Sequence, residues 1–151
     1  MELNKLSRKI FIGSDHGGYQ TKQELVPFLA NLGYEVIDMG THSENSIDYP
    51  DVAKEVAMKV VENQSLGILI CGTGIGMAIA ANKVEGIRAA SIRDTYSAKM
   101  LRRHNDGNIL CLGGRVLGIE LQKELVKSFL DSTFDGGRHQ RRVNKIINIE
   151  N

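Results

Sequence analysis

Five times along this 151-residue chain a short apolar run gives way to a stretch whose apolar residues fall three and four positions apart. Lys9 to Ile12 closes on Gly13 and is followed by Leu25, Phe28, Leu29 and Leu32, with Gly33 as a stop signal. Tyr34 to Asp38 leads through a polar loop to a helix opened by Pro50 and continued by Val52, Val56 and Val60. Proline suits a first helical turn because its missing N–H has no intrahelical partner there. Leu66 to Ile70 precedes a helix from about Thr73, Ile87 to Ile92 one from Asp94, and Asn108 to Leu112 one from about Gly118. Strands that alternate with helices pair in parallel, because each helix carries the chain back across the sheet by a right-handed crossover and covers one of its faces.

The expected fold is therefore α/β: a three-layer α/β/α Rossmann-like sandwich with a five-stranded parallel sheet and a C-terminal helix. That last helix, Arg138 to Asn151, sets Val143, Ile146 and Ile147 on one face. It is too short to persist alone, so it docks on its own domain or on another chain. With no linker, repeat or low-complexity tract, residues 1–151 read as one domain, with 1–7 an extension ahead of the first strand and 138–151 the terminal helix. A chain of this length buries enough surface to need no disulfide or metal staple.

Charge is uneven. Residues 1–75 carry 6 Lys/Arg against 10 Asp/Glu, and residues 76–151 carry 13 against 8. A basic second half suits a bound anion, an acidic partner surface or simple solvation. Nucleic acid is a poor match, since 4 Phe, 4 Tyr and no Trp supply no stacking platform. The longest uncharged run, Asn63 to Asn82, is interrupted by four glycines, and its apolar part falls short of the ~20 residues a membrane span requires. Two cysteines 40 positions apart and no secretory h-region point to a reducing, cytoplasmic setting.

Ligands of open parallel sheets sit at the carboxyl ends of the strands, so the chemistry is sought there. After the first strand comes Ser14-Asp15-His16-Gly17-Gly18, either a turn capped by aspartate or a polar ligand site. After the third comes Cys71-Gly72-Thr73-Gly74-Ile75-Gly76-Met77-Ala78. Its glycines free backbone N–H groups where a helix starts, a ready anion cradle. It is no P-loop, lacking the terminal Lys-Ser or Lys-Thr, and it misses the third glycine of the dinucleotide fingerprint. Cys71 is either a small buried hydrophobe or a thiol whose ionised form the helix start favours. Cys111 lies inside an apolar strand.

Farther on, Arg102, Arg103, His104 and Asn105 close a helix, Arg115 follows two glycines, and Arg138 and Arg142 stand at i and i+4. Such an arginine pair repels itself unless solvated or bridged by an anion such as phosphate. These residues alone describe an enzyme for a small phosphorylated metabolite, with thiolate chemistry beside an anion hole and no metal. A zinc site from Asp15, His16, Cys71 and His104 matches no standard ligand spacing.

Taken together and in order, SDHGG, DYPDVA, ILICGTGIGMAIAANK, GIRAA, RRHND and FDGGRHQRRV resemble the type B ribose-5-phosphate isomerases of the RpiB/LacAB sugar-phosphate isomerase family, over nearly the whole chain. The resemblance implies interconversion of ribose 5-phosphate and ribulose 5-phosphate without metal or cofactor, by a homodimer or a dimer of dimers. By it, Cys71 is the catalytic base, Thr73 and the amides of Gly72, Gly74, Ile75 and Gly76 stabilise a cis-enediolate, and His104 opens the furanose ring. It further implies sugar contacts by Asp15, Tyr49 and Asn105, and phosphate contacts by His16, Arg115, Arg138 and Arg142. One branch of the family has glutamate at the position of Met77 and lacks the cysteine, so this chain falls in the cysteine branch. A hexose phosphate isomerase acting on allose 6-phosphate or galactose 6-phosphate, and a non-catalytic sugar-phosphate-binding protein, are the competing readings.

Geometry adds one expectation. His104 ends a helix that starts at a strand's carboxyl end and runs back about 15 Å, at roughly 1.5 Å per residue. It should lie far from Cys71 of its own chain and complete the site of a neighbour.

Overall fold

Five apolar segments pair through their backbones into one sheet, and the order of pairing decides where a ligand can enter. In the computed structural model, which describes residues 8–151, these are β1 (Lys9–Ser14), β2 (Glu35–Asp38), β3 (Leu66–Cys71), β4 (Ala89–Ser91) and β5 (Ile109–Gly113). Every ladder is parallel and the order is β2-β1-β3-β5-β4. The chain therefore leaves β1 to one side for β2 and then crosses back over β1 to β3 on its other side. The connecting helices are α1 (Tyr19–Asn31), α2 (Tyr49–Asn63), α3 (Ile75–Ala81), α4 (Thr95–Arg103) and α5 (Ile119–Leu130). A terminal α6 (Arg138–Ile149) follows, and a 3-10 turn (His16–Gly18) precedes α1.

Because side chains alternate along a strand, the sheet buries two different sets. Ile10, Ile12, Ile68, Ile70, Leu110 and Leu112 meet Leu25 and Leu29 of α1, Leu101 of α4 and Leu125 and Phe129 of α5. Phe11, Leu69, Cys71, Ile109 and Cys111 face the other way, against Val52, Val56 and Val60 of α2 and Met77 and Ala78 of α3. Two glycines let α2 lie close on that second face. A Cβ on Gly13 would stand 2.6 Å from a Val52 methyl, and one on Gly67 would stand 2.8 Å from a Val60 methyl.

The three-layer sandwich matches the expectation, and the boundaries differ locally. β1 runs past Gly13 to Ser14. β4 covers three residues rather than Ile87 to Ile92. Its edge is closed by the Asn82 side chain, which donates to Ala89 O and accepts from Ala89 N, each at 2.8 Å, in place of a strand neighbour. α3 starts at Ile75, not Thr73, because Gly74 takes a left-handed conformation with φ +81° that ends the preceding loop. α6 docks on its own domain through buried Val143 and through the Glu150 carboxylate, which accepts from Gly86 N at 3.3 Å. The expected N-terminal extension, 1–7, lies outside the described residues.

A lysine is buried where periodicity predicts only core, paired with a partly exposed aspartate. Lys22 on α1 is fully buried, and its Nζ donates to both Asp38 oxygens at 2.7 Å. Asp38 also accepts from Gly40 N at 2.9 Å, so the pair fixes the start of the loop after β2. Removing one partner of such a pair leaves an ammonium uncompensated, at about 3–5 kcal/mol. Asp38→Asn is expected to lower the unfolding free energy by about that amount, seen as a lower urea midpoint at an unchanged slope, and an unfolding free energy within about 0.5 kcal/mol of wild type would refute the assignment.

Candidate active site

In a parallel sheet a crevice opens at the carboxyl ends where neighbouring connections leave to opposite sides, here between β1 and β3. The ladder runs to Ser14 opposite Ile70, and Asp15 N then donates to Ile70 O at 3.1 Å, so the two following loops start side by side. The Asp15 carboxylate caps the 3-10 turn, its Oδ1 accepting from Gly17 N at 2.8 Å and Gly18 N at 3.2 Å. Gly18 is required there, because a Cβ would stand 2.5 Å from Ile70 O. His16 Nδ1 accepts from Ile47 N at 3.2 Å. A nitrogen that accepts carries no proton, so the neutral ring holds its hydrogen on Nε2, as a donor.

Cys71 ends β3 and is 5% exposed. Its Sγ accepts from Gly74 N at 3.2 Å, so a backbone N–H is aimed at the sulfur. The loop is held from several sides. Ser91 Oγ donates to Thr73 O at 3.1 Å, and Thr73 Oγ1 accepts from Ile75 N at 3.2 Å. Gly114 N donates to Cys71 O at 2.8 Å, and Arg115 N donates to Gly72 O at 3.0 Å. These last two bonds bring the Arg115 side chain over Gly72 and its guanidinium beside Gly17. Tyr49, the first residue of α2, lies against Gly76, where a Cβ would meet its ring at 2.5 Å. Cys111 shares the sheet face with Cys71, but burial first and the neighbouring Cys71 second push its thiol far up, so it stays protonated.

The structure thus gathers Asp15, His16, Tyr49, Cys71, Gly72, Thr73, Gly74, Ile75, Gly76 and Arg115 around one crevice. It does not bring His104, Asn105, Arg138 or Arg142 there. Asn105 O accepts from Arg88 Nε at 3.2 Å, and Asn108 O accepts from Gly67 N at 2.8 Å, which places this segment at the amino ends of the strands. Gly67 and Cys71 are separated along β3 by about 13 Å, at roughly 3.3 Å per residue.

At that end the His104 ring, following the last turn of α4, stacks on His139 of α6 with centroids 4.1 Å apart and planes 11° apart. The Arg103 guanidinium grips both Asp135 oxygens at 3.2–3.3 Å, and Asp135 N donates to Arg103 O at 2.9 Å. His139 is held below the usual histidine range by burial and then by positive charge on His104, Arg138 and Arg142, with Asp135 opposing. His104, Asp135 and His139 place three donor atoms within 4.8 Å of one another. With the carboxylate spent on Arg103 and Arg138 and Arg142 close by, that cluster suits an anion better than a cation.

Sequence reasoning passed over His139, Ser91, Ile47 and the Lys22–Asp38 pair. His139 stood inside the GGRHQRR motif, visible as a residue but not as a partner. The other contacts join positions 16–31 residues apart and leave no local signal.

Comparison with known proteins identifies the family and the fold. Residues 10–146 match the model of the family described as Ribose/Galactose Isomerase. Ribose-5-phosphate isomerase B of Escherichia coli is 49% identical over 95% of this chain and 97% of its own. The solved structure of Clostridium thermocellum ribose-5-phosphate isomerase B superposes with a TM-score of 0.92 at 55% identity, over 94% of this chain and 97% of that one. The Mycoplasma genitalium ribose-5-phosphate isomerase B with bound ribulose-5-phosphate gives 0.91 at 43% identity, over 94% and 95%. With a crevice built on a strand-end cysteine and a match that runs from β1 into α6, this chain belongs to the ribose/galactose isomerase family.

Proposed function

We propose that this chain interconverts D-ribose 5-phosphate and D-ribulose 5-phosphate, an aldose–ketose isomerisation of the pentose phosphate pathway, with Cys71 as the proton carrier. The observation that carries this reading is the Cys71 sulfur at the floor of the crevice with the Gly74 N–H directed at it. In the reaction the Cys71 thiolate takes the C2 proton of the open-chain aldose, and the C2–H electron pair forms the C1–C2 double bond as the C1 carbonyl π pair moves onto O1. The resulting cis-enediolate becomes the ketose when the O2 proton passes to O1, the O2 electron pair forms the C2 carbonyl, and the C1–C2 pair takes the proton back from Cys71 at C1. The amides of the Gly72–Gly76 loop not already bonded to the Cys71 sulfur or the Thr73 hydroxyl, together with that hydroxyl's own proton, face the charge that develops on oxygen, and donors fixed in place stabilise that charge more than the neutral ground state. Arg115 and the Nε2–H of His16 hold the phosphate at the other end, which orients C1 and C2 against the sulfur. The bound ribulose-5-phosphate in the Mycoplasma genitalium relative supports the substrate class.

The furanose opens first. As the C1–O4 bond breaks, its electron pair goes to O4, which takes a proton from His104, and the C1 hydroxyl yields its proton to solvent to become the aldehyde. With His104 at the amino end of its own sheet, this step requires a second chain. We therefore assign composite sites in a homodimer, or a dimer of dimers, in which one protomer gives Cys71 and the other gives His104, Asn105, Arg138 and Arg142. Exposed Ile75 and Ile79, one turn apart on α3, with Met58 and Val61 on α2, supply apolar surface for such an interface. No helix among the described residues is long and apolar enough to cross a membrane. A reducing cytoplasm is the setting that keeps Cys71 a free thiol.

Two experiments test the reading. With EDTA present, ribulose 5-phosphate formation by Cys71→Ala is expected to fall by about 10²–10⁴-fold, the usual contribution of a positioned proton carrier. Survival of the rate, or a preference for allose or galactose 6-phosphate over ribose 5-phosphate, would overturn it. Separately, inactive Cys71→Ala and His104→Asn chains, unfolded together and refolded, should recover about a quarter of wild-type activity. Half the dimers are then mixed, and one site of each two is intact. No recovery beyond the two parents would show that the site is not shared.

A further inference from the structure

The group of residues at the amino end contains one ring that the isomerisation above leaves unused. His139 lies flat against His104, centroids 4.1 Å apart and planes 11° apart, and is half-buried. This contact is built rather than incidental. His104 follows the last turn of α4, where a side chain has backbone support on one side only. Arg103, the residue before it, grips the Asp135 carboxylate, and Asp135 N returns a hydrogen bond to Arg103 O at 2.9 Å. This double link holds residues 135–137 against the end of α4. Gly136 and Gly137 then turn the chain through positive φ, 68° and 56°, conformations that favour glycine, and α6 begins with His139 in its first turn. The path delivers one imidazole face onto the other.

We propose that His139 is a positioning residue for ring opening: by stacking, it fixes the plane and rotamer of the His104 imidazole and so aims its proton at the furanose oxygen. This inference rests on the assignment of ring opening to His104. The role needs a flat ring and no proton of its own. Arg138 and Arg142 on the same helix, with Arg103 and Asp135 on the facing segments, form the charged surround of the stack, and positive charge on His139 is disfavoured within it.

A positioning role of this kind separates two halves of the reaction. Ribulose 5-phosphate has its C5 oxygen esterified and cannot close a furanose, so exchange of its C1 proton with solvent reports the Cys71 step alone. Turnover of ribose 5-phosphate requires ring opening as well. The experiment measures both in the full-length protein: deuterium incorporation at C1 of ribulose 5-phosphate in D2O by NMR, and the initial rate from ribose 5-phosphate, for wild type, His139→Leu, His139→Phe and His104→Asn. His139→Leu is expected to lower the rate from ribose 5-phosphate by about ten- to hundredfold, the scale of a roughly 1 Å misplacement, while C1 exchange stays near wild type. His139→Phe, which keeps a flat ring and loses both nitrogens, should regain most of the rate.

Equal losses in both measurements for His139→Leu would overturn the inference, since the variant would then have damaged the whole site. A His139→Phe rate as low as that of His139→Leu would also overturn it, by showing that a nitrogen of His139 does the work. If His104→Asn is selective for ribose 5-phosphate and His139→Leu is silent, the positioning role fails and the ring-opening assignment stands. If His104→Asn is not selective, that assignment fails and takes the positioning role with it.

Discussion

Ser14 and Ile70 end the ladder between β1 and β3, and the N–H of Asp15 adds a last bond to Ile70 O. The chemistry of the crevice hangs from that rung. Parallel strands in register deliver their carboxyl ends to the same height, so the loop carrying Asp15 and His16 and the loop carrying Cys71 begin as neighbours. The same carbonyl forbids a side chain at Gly18. A slip of one residue between β1 and β3 would turn Cys71 to the opposite face of the sheet, toward α1 and α5, and the sulfur would lose the crevice.

Polar groups around this rung are arranged so that few are left to move. The Lys22–Asp38 pair fixes Gly40, whose carbonyl accepts from Ser14 N at 2.7 Å, and Thr41 N donates back to Ser14 O at 2.7 Å. Farther along the same loop, Ile47 N settles the tautomer of His16. One segment after β2 is thereby stitched to the Ser14–His16 turn at both of its ends. A buried lysine is costly to desolvate, and here its anion also holds the loop that braces the first strand's end. The two cysteines show the same dependence on surroundings. Enclosure on β5 makes Cys111 inert, while Cys71, two rungs nearer the strand ends, meets a backbone N–H and an opening to solvent.

The remaining residues of the proposed machinery sit at the wrong end of the sheet for a single chain. α4 must run antiparallel to the strands to reach the start of β5, so its last residues, and His104 with them, arrive at the amino ends. α6 then packs nearby and adds Arg138, His139 and Arg142. The chain therefore presents a crevice with a thiol at one end and a cationic, imidazole-bearing surface at the other. The proposed composite site would bring two such surfaces together, with the phosphate of a bound substrate facing arginines.

Much of this was legible in the order of residues. Alternating apolar runs and helical patterns fix a parallel α/β sandwich, because each pattern matches the geometry of one element and the crossover rule leaves little choice of connection. The strand ends marked Asp15, Cys71 and Arg115 as candidates, and the motifs in order named the family. Local sequence could not show the strand order that makes β1 and β3 neighbours, the shortening of β4 by the Asn82 side chain, or the Lys22–Asp38 pair. Nor could it show that His104 and His139, 35 positions apart, would lie face to face. Such contacts depend on where separate elements come to rest against one another, and packing decides that among partners distant in sequence. Periodicity is a property of neighbours a few residues apart, so the sequence by itself determined the elements and their chemistry. Only the tertiary structure decided which of those chemistries share a site.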